Sequence, residues 1–172
     1  LKETVFVGSG KEMLEAVALN RTSFAAEDYS EVREEVNRTG LEPVGAGDVS
    51  GIESISSVNE AFNITREKYY VDSREKAVYA AALAAKNNAS LTFEEGEADR
   101  DFSNLSIEEF QERFIEEFDP NHIAVVDLDS NKGALAAYMA IRKGIMPVDF
   151  DQNYSYPVEN EEVIYADNWN SY

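Results

Sequence analysis

The sequence predicts an α/β fold in which a mainly parallel, Rossmann-like sheet is flanked by helices. Two segments, residues 68–93 and 122–150, each have the pattern of a strand, a polar turn, an Ala-rich helix and a second strand. A strand that is followed by a helix and another strand forms a right-handed crossover between parallel strands. Because both segments share this order and a similar spacing, we expect two duplicated βαβ units.

The N-terminal part predicts shorter elements. Thr4-Val5-Phe6-Val7 is an apolar strand, and residues 11–19 have the apolar spacing of a helix. The acidic segment 30–38 predicts a short helix that ends before a glycine. Residues 41–57 are rich in Gly and Ser and predict a loop or an irregular strand, while residues 59–63 predict one helical turn.

The later elements have clearer boundaries. Residues 68–71 predict a strand, and residues 74–87 predict an Ala-rich helix with Asp72 or Ser73 as its N-cap. Ser106 and Glu109 have the spacing of a capping box at the start of an amphipathic helix. The predicted elements after residue 87 are a strand at 90–93, a helix at 107–118, a strand at 122–126, a helix at 131–143, a strand at 145–150 and an edge strand at Val163-Ile164-Tyr165.

The predicted organisation is one core domain and a C-terminal segment. We assign residues 1–151 to the α/β domain, with sub-units 1–93 and 94–151. We assign residues 152–172, which are polar and aromatic, to a C-terminal segment or a linker to a following domain. The chain begins at Leu1 and shows no signal peptide, which we interpret as a mature segment or an excised domain of a longer precursor.

The composition of the chain excludes several classes of protein and of site. The 172 residues include 34 acidic and 15 basic residues, which gives a net charge of −19, and no cysteine. Nucleic-acid binding needs a basic patch, and this charge argues against it. The absence of cysteine excludes disulfides, thiolate zinc sites and cysteine nucleophiles. The longest apolar run, residues 77–85, is too short to span a bilayer, so we expect no membrane span in this segment.

N-glycosylation acceptor triplets are the most informative motif in the chain. With 13 Asn and 19 Ser plus Thr, chance placement would give about 1.4 such triplets, whereas the sequence has six. Their asparagines are Asn20, Asn37, Asn63, Asn88, Asn104 and Asn153. Such a density favours a secreted protein whose surface is shielded and solubilised by glycans.

One segment resembles a known family. Arg74 to Phe93, above all the stretch from Ala80 to Ala89, resembles the type 2 cell-wall-binding repeat of bacterial and archaeal surface proteins, and residues 130–150 match more loosely. The usual Pro within the family's helix is absent here, and its Gly-rich element appears only as Val7-Gly8-Ser9-Gly10. The resemblance implies a non-catalytic domain that attaches a protein to wall polymers, as in an archaeal surface-layer glycoprotein.

Acidic residues at the predicted strand ends are the candidate metal ligands. Asp127 and Asp129 follow one buried strand, and Asp149 and Asp151 follow the next. The carboxyl ends of parallel strands form the usual ligand-binding edge of such sheets, and paired carboxylates there could hold a structural Ca²⁺ or Mg²⁺. Asp127 and Asp129 can instead cap the following helix and solvate the turn. Asp127-Leu128-Asp129 is similar to the Asp-x-Asp motif of haloacid-dehalogenase phosphatases and of Toprim domains, which gives a phosphoryl-transfer alternative.

Three further features of the sequence are candidate binding sites. Gly8-Ser9-Gly10-Lys11 lacks the spacing of a phosphate-binding loop, so we interpret it as a tight turn. His122 is the only histidine, which argues against multi-histidine metal sites and triads, and we interpret it as structural. The aromatic residues of segment 152–172 could form a sugar-stacking surface, which gives an extracellular glycan- or solute-binding alternative.

The sequence as a whole favours a non-catalytic, extracellular domain of an N-glycosylated cell-surface protein. Its role would be structural, in a surface-layer lattice or as an anchor. The expected partners are neighbouring copies, other domains of the layer or a cell-wall polymer.

Overall fold

The computed structural model describes residues 3–8, 10–149, 152 and 163–165, so Asn153, Asp151 and most of segment 152–172 lie outside the described residues. The strands are β1 (Thr4–Gly8), β2 (Ser23–Ala25), β3 (Glu42–Ala46), β4 (Ser54–Ile55), β5 (Lys68–Tyr70), β6 (Ser90–Thr92), β7 (Arg100–Asp101), β8 (His122–Val126), β9 (Ile145–Asp149) and β10 (Val163–Tyr165). The α-helices are α1 (Glu12–Ala18), α2 (Arg33–Thr39), α3 (Val58–Ala61), α4 (Arg74–Lys86), α5 (Ile107–Phe118) and α6 (Asn131–Arg142). Two 3₁₀ turns cover Tyr29–Glu31 and Glu95–Glu97.

The strands form three small sheets, and every ladder among the described strands is parallel. Their orders are β2-β1-β3-β4, β6-β5-β7 and β10-β8-β9. The predicted α/β class with parallel strands and flanking helices is therefore confirmed. The parallel strands are divided among three sheets.

The three sheets repeat one topology. In each, the first strand lies between the strand that follows its helix and a third strand, as in β2-β1-β3, β6-β5-β7 and β9-β8-β10. Each helix connects the first two strands of its sheet in chain order. We call the sheet β2-β1-β3-β4 with α1 unit 1, the sheet β6-β5-β7 with α4 unit 2, and the sheet β10-β8-β9 with α6 unit 3. Units 2 and 3 are the two predicted βαβ units, and unit 1 is a third copy of the same topology.

The three helices also end in the same way. Their C-caps, Leu19, Asn87 and Lys143, have φ between −99° and −90° and ψ of 9° to 10°. The next residue is left-handed each time, with φ of 59° at Asn20, 54° at Asn88 and 75° at Gly144. Gly and Asn are the residues that adopt this conformation most readily after a helix. The repeat is thus encoded in the turn residues as well as in the strand order.

The units pack on one another in a cycle. Helix α1 of unit 1 packs against β6 of unit 2, and α6 of unit 3 packs against β2 of unit 1. The link from unit 2 to unit 3 includes a buried hydrogen bond, in which the Tyr79 hydroxyl of α4 donates to the Pro147 carbonyl of β9. Residues of all three units therefore contribute to one main core.

Alanine makes this packing possible at the centre. Eight consecutive residues of α4, from Ala77 to Ala84, are buried, five of them alanine. A helix that is buried all round must lie inside a core, and small side chains let neighbouring backbones approach closely. We expected these alanines to face a sheet; α4 does contact β6, and it also packs against α1 and α6.

Two regions differ from the sequence-based expectation. The segment predicted as a loop or irregular strand contains β3, whose five residues all pair with β1, and the two-residue strand β4. The sheet of unit 2 extends past the predicted sub-unit boundary at residue 93, because β7 pairs with β5. The predicted edge strand at 163–165 is confirmed as β10, at the edge of the third sheet.

Candidate functional site

Three of the predicted metal ligands, Asp127, Asp129 and Asp149, lie at the carboxyl end of the third sheet, where the side chains of Asp127 and Asp149 accept backbone hydrogen bonds. Asp127 Oδ1 accepts from the Asp129 amide at 3.1 Å, and Asp149 Oδ1 accepts from the Leu128 amide at 3.3 Å. These bonds hold the turn between β8 and α6. The cap of α6 is Ser130, whose Oγ accepts a hydrogen bond from the Gly133 amide at 2.9 Å, so the prediction that Asp127 and Asp129 cap this helix is wrong. Asp127 and Asp129 are exposed and Asp149 is half-buried, whereas Asp151 lies outside the described residues.

A fourth carboxyl group, Glu75 at the start of α4, faces this turn. Its pKa is raised, first because burial disfavours its charge and then because Asp149, Asp129 and Asp127 are close. A guanidinium also reaches the turn, since Arg74 Nη1 donates to the Asp129 carbonyl oxygen. In the described part of the chain, no three acidic or histidine side chains are placed to hold one metal ion. The Ca²⁺ or Mg²⁺ site therefore stays a prediction.

The turn between β1 and α1 is shaped by close packing. A Cβ at Gly8 would lie 2.7 Å from Met13 Cβ and 3.0 Å from the Ala46 carbonyl oxygen. The Lys11 ammonium lies 5.4 Å from the centre of the Phe93 ring, in a cation–π contact. His122 is half-buried as the first residue of β8. These observations agree with structural roles for the turn and for His122.

The sequon asparagines are accessible wherever the structure describes them. Asn153 lies outside the described residues, and the other five sequon asparagines are all exposed: Asn20, Asn37, Asn63, Asn88 and Asn104. They are distributed over the whole described chain. Five widely separated positions could thus hold glycans without displacing the core.

Local backbone geometry gives a second reason for asparagine at three of these positions. Asn20, Asn63 and Asn88 have φ of 59°, 52° and 54°, and each follows a helix. Asparagine tolerates this left-handed conformation better than most residues, because its short polar side chain can bond locally. Turn chemistry therefore contributes to the high number of sequons.

The hydroxyl residues of the sequons are less uniform than the asparagines. Thr65, which belongs to the Asn63 triplet, is exposed. Ser90, which belongs to the Asn88 triplet, is completely buried in β6, and its Oγ donates to the Glu67 carbonyl at 3.4 Å. Ser106, in the Asn104 triplet, caps α5 by accepting a hydrogen bond from the Glu109 amide at 3.1 Å. The folded chain therefore presents the Asn63 triplet more completely than the other two.

A buried carboxyl group lies between units 1 and 2. Glu15 of α1 is 5% exposed, and burial raises its pKa to about 7. Its Oε1 accepts hydrogen bonds from Ser57 Oγ at 3.2 Å and from the Asn59 amide at 3.3 Å, which lower the pKa in part. Glu12 and Glu94 raise it further by repulsion. No sequence pattern predicts the burial of Glu15, because an acidic residue in a short helix is usually solvated.

Ser57 and Asn59 also line an open cavity of about 350 Å³. Its wall is formed by residues at both ends of α3, by the start of β5 and by residues after β6. Asn63 lines it as well, so a glycan at that position would stand at its rim. This cavity therefore places an open concave surface next to a buried titratable group.

Comparisons with protein-family models, with curated proteins and with solved structures found no match to this chain. The resemblance to cell-wall-binding repeats therefore depends on the quoted residues alone. No helix in the described part of the chain has the length and apolar character to cross a membrane.

Proposed function

We propose that this chain is a non-catalytic, extracellular domain of an N-glycosylated cell-surface protein, with a structural role in a surface-layer lattice or as an anchor. The observation that supports this most strongly is the exposure of all five sequon asparagines in the described residues. A glycan needs an attachment point that projects into solvent, since a sugar chain cannot enter a packed core.

The composition supports the same proposal. A net charge of −19 keeps a crowded surface soluble and repels nucleic acid, and a chain without cysteine needs no oxidative folding step. The cyclic packing of three units gives a compact core without disulfides. The partners we propose are neighbouring copies, other domains of the same layer or a cell-wall polymer.

The experiment is the intact mass of the protein from its native host, followed by tryptic mapping of the sequons. We expect added mass in sugar-sized steps at several sequon asparagines. A mass equal to that of the bare sequence, measured on protein from a cytoplasmic fraction, would contradict the proposal.

A pair of neighbouring asparagines provides a matched control. Asn87 and Asn88 are both exposed and lie on the same tryptic peptide, yet only Asn88 begins a sequon. Expressed in the native host, Asn88→Gln should remove the glycan from this peptide, whereas Asn87→Gln should retain it. Equal loss in both variants would show that the modification does not follow the sequon.

A second experiment tests whether each sequon is glycosylated before or after the chain folds. Because Ser90 is buried, the Asn88 triplet is fully accessible only in the unfolded chain, whereas Thr65 leaves the Asn63 triplet accessible after folding. Folded, unmodified chain incubated with a membrane extract of the host should therefore be modified at Asn63 and not at Asn88. Modification of the folded chain at Asn88 would contradict the prediction that this sequon is glycosylated only before folding.

A further inference from the structure

The peptide bond between Asp119 and Pro120, at the end of α5, follows a residue in an unfavourable backbone conformation. Asp119 is left-handed, with φ of 46° and ψ of 61°. This conformation is costly for most residues that carry a side chain. A following proline disfavours it further, because proline pushes the ψ angle of the residue before it toward about 120–160°. The structure therefore holds the Asp119–Pro120 connection under backbone strain.

The other five α-helices end on residues that tolerate this conformation better. Within two residues of its last residue, each has a left-handed Asn or Gly, and no proline follows: Asn20, Gly40, Asn63, Asn88 and Gly144. The end of α5 departs from this rule, and Asp119-Pro120 is the only Asp-Pro pair in the chain. Strained backbone of this kind clusters at functional sites, which directs attention to the chemistry of this pair.

Packing on both sides of the bond maintains the strain. On the helix side, the Asp119 amide donates to the Ile115 carbonyl at 3.1 Å, and α5 packs against α4. On the strand side, Pro120 is buried, and His122 begins β8, which pairs with β9 over five residues. Because the helix and the strand are both fixed, the connection cannot relax toward an extended conformation without moving one of them.

Asp119 also carries a group that can cleave this bond. If a side-chain oxygen attacks the carbonyl carbon of the same residue, a C–O bond forms and closes a five-membered ring. Nucleophile and carbonyl belong to one residue, which favours this attack over one by a free carboxylate. The C–N bond to Pro120 then breaks, and the proline nitrogen keeps the electron pair and takes a proton from solvent. Water opens the cyclic anhydride, so the net reaction is hydrolysis of one peptide bond.

Solvent reaches the reacting carboxylate directly, because Asp119 is exposed. Other titratable groups lie on the last turn of α5, at the start of β8 and on α4, whose lysine is 3.5 Å from one of the α5 carboxylates: Glu116, Glu117, His122 and Lys86. None of them is needed for the attack itself, since both reacting groups belong to Asp119. Mild acid supplies the proton that the leaving nitrogen takes up.

We propose that the folded chain hydrolyses its own Asp119–Pro120 bond in mild acid, with the Asp119 carboxylate as the nucleophile. The product is a domain of two chains. Residues 1–119 contain units 1 and 2 and α5, and residues 120–172 contain the strands and the helix of unit 3. The new ends are a C-terminal aspartate and an N-terminal proline.

Unit 3 stays bound to the rest of the domain after the cut, because its contacts do not depend on the cleaved bond. Helix α6 packs against α4 and against β2. The Tyr79 hydroxyl donates to the Pro147 carbonyl across the cut, and the side-chain amides of Gln111 and Gln152 bond to each other at 2.9 and 3.0 Å. The cleavage therefore changes the connectivity of the domain and leaves its packing in place.

The test is incubation of the full chain, made without glycans, at about pH 5, where carboxyl groups begin to take up protons. This pH is above the sequence pI of about 4.3, so the chain keeps a net negative charge. Intact mass should show two fragments, residues 1–119 and 120–172, that co-elute in gel filtration without denaturant. We expect them to form about tenfold faster in the folded chain than in the chain unfolded in urea at the same pH, because only the folded chain is strained. Equal rates, or no cleavage of the folded chain, would overturn the proposal.

Two substitutions separate the role of strain from that of the residue pair. Asp119→Asn removes the carboxylate and introduces the residue that is left-handed after three other helices, so we expect a folded variant that forms no fragments. Glu42→Asp places a second aspartate before a proline, at the start of β3, where the backbone is extended and paired with β1. We expect the bond after residue 42 to stay intact while the Asp119–Pro120 bond is cut. Equal cleavage at both bonds, or cleavage of Asp119→Asn at the rate of the parent chain, would overturn the proposal.

Discussion

Replacing Glu15 with Gln should stabilise the chain by an amount that depends on pH. Burial raises the pKa of Glu15 in the folded state to about 7, against 4.5 for the unfolded chain. Between these values the folded state holds a proton that the unfolded state has released. The free energy of unfolding contributed by Glu15 therefore falls as pH rises from below 4.5 to above 7.

The magnitude follows from the two pKa values. Each pKa unit is worth about 1.4 kcal/mol, so the full effect is about 3 kcal/mol, of which about 2.5 kcal/mol is lost between pH 5 and pH 8. Gln keeps an acceptor oxygen for Ser57 and the Asn59 amide, and it is neutral at every pH. The difference in unfolding free energy between Glu15→Gln and the parent chain should thus grow by about 2.5 kcal/mol from pH 5 to pH 8.

Urea denaturation at both pH values measures this difference. Glu35→Gln is the control, because Glu35 is exposed on α2, is not among the groups that shift the pKa of Glu15 and can be replaced by the same isosteric change. We expect the difference in unfolding free energy between the control variant and the parent chain to vary much less with pH. If the difference in unfolding free energy between Glu15→Gln and the parent chain is the same at pH 5 and pH 8, the argument that burial raises the pKa of Glu15 is refuted.

Three further substitutions test the packing and the acidic turn. Gly133→Ala should destabilise the fold by about 3 kcal/mol in thermal unfolding, because a Cβ there would overlap the Asp127 carbonyl oxygen. Gly96→Ala, with no atom within 4 Å of its Cβ, is the control. Equal thermal unfolding midpoints for the two variants would contradict the predicted overlap at Gly133. Tyr79→Phe should lower the free energy of unfolding in urea by about 2 kcal/mol, because the Pro147 carbonyl loses its buried donor. An unchanged free energy of unfolding would show that this hydrogen bond contributes little to stability. Asp127→Asn keeps its acceptor oxygen and should change stability by less than about 1 kcal/mol; loss of a Mg²⁺-dependent p-nitrophenyl phosphate hydrolysis would instead favour phosphoryl transfer.

The elements that were well predicted have strong local signals. Helix α5 begins after the capping box of Ser106 and Glu109 and ends before Asp119-Pro120, and its predicted range, 107–118, is confirmed. Strand β8 is confirmed over 122–126, because its apolar residues are bounded by polar turns. Local sequence sets these boundaries, so tertiary contacts did not need to be known.

The elements that were missed depend on contacts between distant segments. Strand β3 contains Pro43 and Gly45, which are unfavourable in strands. The structure tolerates Pro43 because β4 pairs only with Gly45 and Ala46, which leaves β3 as an edge at Pro43. Strand β2 has three residues, too few to show an alternating pattern.

The candidate site could be predicted only in part. Asp127, Asp129 and Asp149 were placed correctly at the ends of strands, because that position follows from the local pattern alone. The burial of Glu15 and the hydrogen bonds that it accepts from Ser57 and the Asn59 amide depend on how α3 packs between units 1 and 2, which no local pattern indicates.

The cyclic packing of the three units fixes how many units the fold can have. In a linear repeat array the two end units expose one face each, and such arrays need polar caps and tolerate added copies. Here the third unit packs back on the first through α6 and β2, so neither end of the series is left uncovered. A fourth copy inserted in series would have to widen every interface between units at once. Variation in this architecture is therefore confined to the connections, such as the segment containing α2 and the one containing α5.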